Sequence, residues 1–93
     1  MFVGTLQAKL MVREARNLKD KRRVLRSLKD RLRNTFNAAV AEVDAMDRRQ
    51  QIVLGVAVVS NDGRHAAKQI NEIVDWLRRA PVAELIDTEV EVL

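Results

Sequence analysis

The amino-acid sequence predicts an α+β fold with the element order strand, helix, strand, strand, helix, strand. Three observations support this prediction. Two segments, at about 18–36 and 63–79, repeat apolar residues with helical spacing. The two ends of the chain alternate apolar and polar residues, as half-buried strands do. Between the helices, the segment 52–59 is a continuous apolar run rich in β-branched residues, which is typical of a central strand.

The first strand and the first helix follow from the first 36 residues. One face of the strand is apolar, with Phe2, Leu6, Ala8, Leu10 and Val12. Asn17 is a suitable N-cap for the helix because its side chain can accept a hydrogen bond from the amide of Asp20, which reaches back as a capping-box partner. We expect Asn37 to end this helix in a left-handed conformation. The apolar side of the helix consists of Leu18, Leu25, Leu28, Leu32 and Phe36.

The middle of the chain supplies two strands. The segment 38–44 is alanine-rich and resembles a strand only weakly, and the polar stretch 44–51 indicates a hairpin loop. The strand 52–59 that follows is apolar on both faces, so we expect both faces to be covered.

The last third of the chain repeats the helix–strand pattern. The residues at 60–63 signal a turn and a second N-cap, and Pro81 prevents the helix 63–79 from continuing. A final strand spans about 85–93. Its apolar face holds Ile86, Val90 and Val92, and its acidic face holds Asp87, Glu89 and Glu91.

A βαββαβ chain of 93 residues most simply folds as one ferredoxin-like domain over residues 1–93, with four antiparallel strands and both helices on one face of the sheet. The other face, here called the open face, would carry the apolar residues of the central strand together with Val3 and Met11. Because a large exposed apolar patch marks an interface, we predict a homodimer through this face. The expected core contains Leu6, Leu10, Val24, Leu25, Leu28, Leu32, Ile70, Ile73, Val74 and Leu77.

Composition excludes several classes of function. The chain has no cysteine, no tyrosine and one histidine, which removes disulfides, thiolate nucleophiles and most acid–base chemistry. No apolar run is long enough to span a bilayer, and the first ten residues lack the features of a signal peptide. We therefore expect a cytoplasmic binding protein that is not an enzyme, with no cofactor, metal, membrane or small-molecule substrate.

The charge distribution points to an anionic partner. The net charge is +4, but residues 9–33 hold eleven basic and three acidic residues, whereas residues 34–93 hold six basic and ten acidic residues. Helical spacing gathers four of the basic side chains on one flank of the first helix, and two more widen the patch. This set, the basic stripe, comprises Lys19, Arg22, Arg23, Arg26, Lys29 and Arg33. It suits phosphate groups, although a simple solvated helix face remains the alternative.

Other residues carry weaker signals. The only aromatic residues are Phe2, Phe36 and Trp76, too few for base stacking, so recognition of structured RNA by its backbone is favoured. Three carboxylates, Glu42, Asp44 and Asp47, surround the hairpin loop, and Glu42 and Asp44 share one strand face. Without a phosphate-binding glycine loop, we interpret them as surface residues. His65 has no companion ligand, so we interpret it as a surface or capping residue.

The whole chain resembles the YlxP-like family of short bacterial proteins. The matching segments are Asn17–Arg23, Phe36–Asn37, Ala41–Asp44 and Leu54–Asp62. Asn17 stands where the family usually has serine, and both residues cap helices. The resemblance implies a ferredoxin-like fold and no established activity. It also implies a gene neighbourhood of translation and ribosome-assembly factors, including ribosome-binding factor A, which points to RNA as the anion.

Two hypotheses of function follow. In the first, the basic stripe contacts RNA or the ribosome. In the second, the protein is a structural or regulatory homodimer that acts through the open face on a protein partner, without nucleic acid. The first predicts that the basic stripe is exposed and unpaired, and the second that acidic residues pair with it.

Overall fold

Six elements occur in the predicted order in the computed structural model, which describes residues 1–93. The helices are α1 (Leu18–Thr35) and α2 (Gly63–Arg79), and the strands are β1 (Phe2–Met11), β2 (Ala39–Asp44), β3 (Gln51–Ser60) and β4 (Glu84–Val92). The strands form one sheet in the order β2-β3-β1-β4, and all neighbours are antiparallel. The ferredoxin-like α+β fold predicted from the sequence is therefore confirmed.

The start of α1 is capped as the sequence predicts, with one difference. The Asn17 side chain accepts a hydrogen bond from the amide of Asp20 at 2.9 Å. The carboxylate of Asp20 accepts from the amide of Arg16 at 3.0 Å, one residue before the cap rather than at the cap itself. The first contact satisfies one of the amide groups that a helix N-terminus leaves without partners, and the second joins the residue before the cap to the first turn.

The end of α1 differs from the prediction for Asn37, which is wrong. The helix ends at Thr35, and Phe36 already has an extended backbone with φ of −125°. Its amide donates to the carbonyl of Leu32 at 2.8 Å, and its half-buried ring packs against the core. The chain therefore turns toward β2 without a left-handed residue. The only non-glycine residue with positive φ is Ala45, at 57°.

The second helix has the predicted bounds. Asp62 is its N-cap, and the side chain accepts from the amide of Arg64 at 2.9 Å. Ala80 follows the helix with extended backbone, and Pro81 lies one residue further on.

A single apolar core lies between the helices and the sheet. Leu6 of β1 stands opposite Val56 of β3, which in turn stands opposite Val40 of β2. All three side chains are buried. Of the ten predicted core residues, nine are buried and Val24 is half-buried at the edge of the core.

An irregularity in β2 places Glu42 and Asp44 on opposite faces of the sheet. Glu42 stands opposite Leu54, which faces the helices, whereas Asp44 stands opposite Val53, which faces the open side. The register shifts between Glu42 and Asp44, leaving Val43 as the extra residue. A residue inserted in one strand reverses the alternation beyond it. The prediction that Glu42 and Asp44 share a face is therefore wrong.

The open face of the sheet lies opposite the helices, so β3 is central but is covered by helices on one side only. The expectation that both faces of β3 are covered therefore depends on the predicted dimer and stays a prediction. On the open face Val53 is buried and Ala57 half-buried, but Val59 is 64% exposed. Val3 and Met11 are half-buried. The acidic face of β4 lies on this side as well, because Glu89 pairs with Gln7 and Glu91 with Thr5.

Candidate nucleic-acid interface

The basic stripe lies on the outer flank of α1. Leu25, Leu28 and Leu32 turn inward and are buried. Relative to these leucines, the stripe is rotated about 110° around the helix axis. At the far end of the stripe, the Arg33 guanidinium donates to the carbonyl of Val40 in the edge strand β2, at 2.7 Å. The stripe therefore runs above the β2 edge of the sheet, over about 20 Å from its first residue to its last.

The other flank of α1 is different, because no continuous row of cations lies along it. Asp20 and Val24 border a cavity shared with Pro81 and Val82, in the segment that leads into β4. Only the β2 side of α1 therefore presents a continuous row of cations to the exterior.

Most of the basic stripe is exposed and has no acidic partner. Four members, Lys19, Arg22, Arg23 and Arg26, are exposed, and Lys29 is half-buried. The molecule contains two ion pairs, Arg13–Glu84 and Lys21–Glu42, and neither involves the stripe.

Arg33 is exposed but differs from the other members of the stripe. Its bond to the Val40 carbonyl covers one backbone acceptor of an edge strand, which gives this arginine a role in the fold. Five cations of the stripe therefore have no hydrogen-bonding partner in the chain, and the sixth has one.

Lys21 is the basic residue whose role the sequence did not reveal. Its side chain is fully buried, and Nζ donates to the carbonyls of Ala45, Met46 and Gln51 at 2.8, 3.2 and 3.3 Å. These three acceptors match the three protons of the ammonium group. The Glu42 carboxylate lies 3.0 Å from Nζ and supplies the opposite charge.

The sequence did contain a signal for the burial of Lys21. Its position continues the spacing of Leu18, Leu25, Leu28 and Leu32, so it falls within the apolar side of α1. A cation in such a place requires a partner from elsewhere in the fold.

The predicted acidic residues separate into different environments. Glu42 was interpreted as a surface carboxylate, and this is wrong, because its side chain is 16% exposed and paired with Lys21. Asp44 is exposed and accepts from the amide of Ala45 at 2.7 Å. Asp47 and His65 are exposed on the surface. The structure brings together no group of three or more histidine or acidic side chains that could hold a metal ion.

A shallow groove crosses the open face of the sheet. Its volume is about 690 Å³, and its floor includes Gly55 and Ala57. Val43 forms one side, and Glu89 and Glu91 form the other. Val43 lies directly over Gly55, where a side chain would approach Cγ1 of the valine to 2.6 Å. The half of the open face made by β2 and β3 is therefore apolar, and the half near β4 is acidic.

Neither helix is long and apolar enough to cross a lipid bilayer.

Comparison with known proteins identifies relatives of the chain. The family described as "Protein of unknown function (DUF503)" matches residues 3–90. The chain is also similar to the "Uncharacterized protein YlxP" of Bacillus subtilis (strain 168), with 27% identity over 90 residues. That alignment covers 97% of this chain and 98% of the relative. The similarity to YlxP confirms the resemblance that the motifs carry, and because the family match extends over nearly the whole sequence, the chain belongs to the DUF503 family.

Proposed function

We propose that this protein is a non-enzymatic cytoplasmic module that binds structured RNA through the basic stripe of α1. The observation that carries the proposal is the contrast between the basic residues of one helix. Lys21 is buried and neutralised by Glu42, while five cations on the outer flank have no partner. A helix that needed charge only for solubility would gain by pairing those cations with nearby carboxylates.

Electrostatics explains why an RNA backbone suits this surface. Like charges spaced three and four residues apart repel one another along a helix. An anionic backbone removes this repulsion and releases the counterions that it carried. Arginine supplies four of the six stripe residues, and its planar guanidinium can donate two hydrogen bonds to one phosphate.

Recognition of shape, rather than of base sequence, fits the rest of the surface. Single-stranded RNA readers with this kind of sheet stack bases on aromatic side chains of the exposed strands. Here the open face has no aromatic residue, and β3 contributes Val53, Gly55, Ala57 and Val59 to it. The family's gene neighbourhoods make ribosomal RNA the first RNA to test.

A filter-binding titration with a structured ribosomal RNA fragment tests the proposal. The stripe variant is Arg22→Gln/Arg23→Gln/Arg26→Gln, which leaves Arg33 in place because Arg33 contacts β2. The control, Lys68→Gln/Arg78→Gln/Arg79→Gln, removes three exposed charges from α2. We expect the wild-type affinity to fall with salt on a log–log slope of roughly −3 to −4, as about four phosphate contacts give.

Comparison of the two variants shows whether binding depends on the position of the positive charges or only on their number. We expect the stripe variant to lose RNA binding and the α2 control to bind as the wild type does. Equal affinities of all three proteins, or an affinity that does not respond to salt, would show that the stripe is a solvated helix face.

A second candidate function rests on the open face. Val59 and Leu93 are each 64% exposed and lie on either side of Val3, to which both are paired. We propose that a second copy of the chain covers this apolar half, because two such surfaces related by a two-fold axis are self-complementary.

Sedimentation at tens of micromolar tests the dimer. We expect the wild type to sediment as a dimer and Val59→Asp as a monomer. The control is Val82→Asp, an exposed valine in the loop before β4. A monomeric wild-type protein would exclude this second function.

A further inference from the structure

A small cavity lies at the end of the molecule where β1 ends and β3 begins. Two loops form it, one joining β1 to α1 and the other joining β2 to β3. Its volume is about 500 Å³. The lining, here called the arginine pocket, consists of Arg13, Glu14, Ala15, Arg16, Arg49 and Gln50.

Arginine side chains dominate this lining. Arg13 is partly neutralised, because its Nε donates to Glu84 at 2.8 Å. The side chains of Arg16 and Arg49 make no hydrogen bond and no ion pair within the chain. Glu14 is the one carboxylate in the lining. Two free guanidinium groups, contributed by different loops, therefore border one concave space.

Neutral hydrogen bonds hold the two loops together. The Gln50 amide donates from Nε2 to the carbonyls of Arg13 and Ala15, at 3.0 and 3.3 Å. The backbone amide of Val12 donates to the carbonyl of Gln50 at 2.8 Å. The backbone that carries both arginines is thus fixed before any ligand arrives, which lowers the entropic cost of binding.

Lys21 also holds the loop between β2 and β3 in place. Its ammonium group holds the carbonyls of Ala45, Met46 and Gln51, which flank Arg49 along the chain. The loop therefore has anchors at both ends and at Gln50. These bonds hold the six-residue loop 45–50 in place beside α1.

We propose that the arginine pocket binds a phosphate group, with Arg16 and Arg49 as the ligating side chains. A guanidinium group presents paired donors that match phosphate oxygens, and a charged hydrogen bond of this kind is stronger than a neutral one. The phosphate comes either from the end of a nucleic-acid strand or from a free phosphorylated compound. The pocket adjoins the N-terminal end of the basic stripe, but the inference does not depend on RNA binding by that stripe.

Titration with inorganic phosphate, followed by the amide resonances in NMR spectra, tests the site. We expect saturable shifts at residues 13–16 and 49–50 in the wild type. Arg16→Gln/Arg49→Gln should weaken binding by about tenfold or more, since it removes two charged hydrogen-bond donors. The control Arg78→Gln/Arg79→Gln loses the same charge from α2 and should bind phosphate as the wild type does.

A third variant tests whether phosphate binding requires the geometry of the two loops or only their positive charge. Gln50→Ala changes no charge but removes the two side-chain bonds from Gln50 to the β1–α1 loop, while the backbone bond from Val12 remains. We expect it to weaken phosphate binding several-fold. Wild-type affinity in Gln50→Ala, wild-type affinity in Arg16→Gln/Arg49→Gln, or shifts that do not saturate at the two loops would each overturn the proposal.

Two RNA oligonucleotides identify the source of the phosphate. Tighter binding of a 5′-phosphorylated strand than of its 5′-hydroxyl form, lost in Arg16→Gln/Arg49→Gln, supports a strand end. Equal binding of the two strands, with inorganic phosphate still bound, supports a free phosphorylated compound. The stripe variant Arg22→Gln/Arg23→Gln/Arg26→Gln should retain inorganic phosphate binding, so the two proposals can fail independently.

Discussion

Lys21 of α1 and Glu42 of β2 form an ion pair inside the molecule, with Nζ of the lysine 3.0 Å from Oε2 of the glutamate. The same ammonium group holds three carbonyl oxygens of the β2–β3 connection. One lysine side chain therefore joins a helix, an edge strand and a loop. Its four oxygen neighbours satisfy a charge that would otherwise be costly to bury.

Removal of the ammonium group should destabilise the protein strongly. Lys21→Met keeps most of the volume but leaves Glu42 and three carbonyls without their partner, and we expect a loss of about 3–5 kcal/mol in the free energy of unfolding. Urea denaturation measures it. Lys21→Met/Glu42→Leu should recover part of the lost stability, because it also removes the carboxylate that has no partner. An unchanged denaturation midpoint in Lys21→Met would contradict a structural role for the pair.

Shortening a core side chain between α1 and the sheet should lower the free energy of unfolding. Leu28 is fully buried in α1, and Leu28→Ala should cost about 2–5 kcal/mol. For a domain of this size the melting temperature should fall by at least about 8 °C. Val82→Ala is the control, because that valine is exposed and lies outside the proposed dimer face. Similar melting temperatures for the two variants would mean that the core is assigned wrongly.

Two arginines of the basic stripe should differ in their effect on stability. Arg33→Gln removes the bond to the Val40 carbonyl and should cost about 1 kcal/mol. Arg26→Gln removes an exposed side chain without contacts, so its effect should stay within about 0.5 kcal/mol. Urea denaturation of both variants checks this difference. Equal denaturation midpoints for the two variants would mean that the contact of Arg33 with β2 does not stabilise the protein.

A side chain at Gly4 should crowd the contact between β1 and α2. A Cβ atom there would lie 2.9 Å from Cγ1 of Ile70 and 3.2 Å from the carbonyl oxygen of Ala66. We expect Gly4→Ala to cost about 1–3 kcal/mol, because neither neighbour can move freely. At Gly63 the new Cβ would meet only the exposed ring of Phe2, at 3.3 Å. Thermal denaturation should show a much smaller change for Gly63→Ala.

Local patterns were sufficient to predict most of the fold. The bounds of α2 follow from its apolar spacing, the Asp62 cap and the position of Pro81, all of which are encoded within a few residues. The end of α1 was harder to predict. Asn37 suits a left-handed cap, but the packing of Phe36 against the core turns the chain earlier.

Features that depend on distant contacts were missed. The irregularity that separates Glu42 from Asp44 is defined by pairing with β3, and no residue type in β2 marks it. The partners of Lys21 lie 21 to 30 positions further along the chain. The basic stripe was located correctly on one flank of α1, but the contact of Arg33 with β2 required knowledge of which strand lies beneath that flank.

The pairing of β1 with β4 has a consequence for the order of folding. The two strands are joined as far as Val3 and Leu93, which exchange backbone hydrogen bonds at 3.0 and 2.8 Å. During synthesis, β1 leaves the ribosome before β4, so one side of β1 lacks its neighbour until β4 has emerged. Contacts this distant in sequence also slow folding, because a long loop must close first. The sheet is therefore completed only once β4 has emerged, and until then the nascent protein depends on β3 and α2 to cover its first strand.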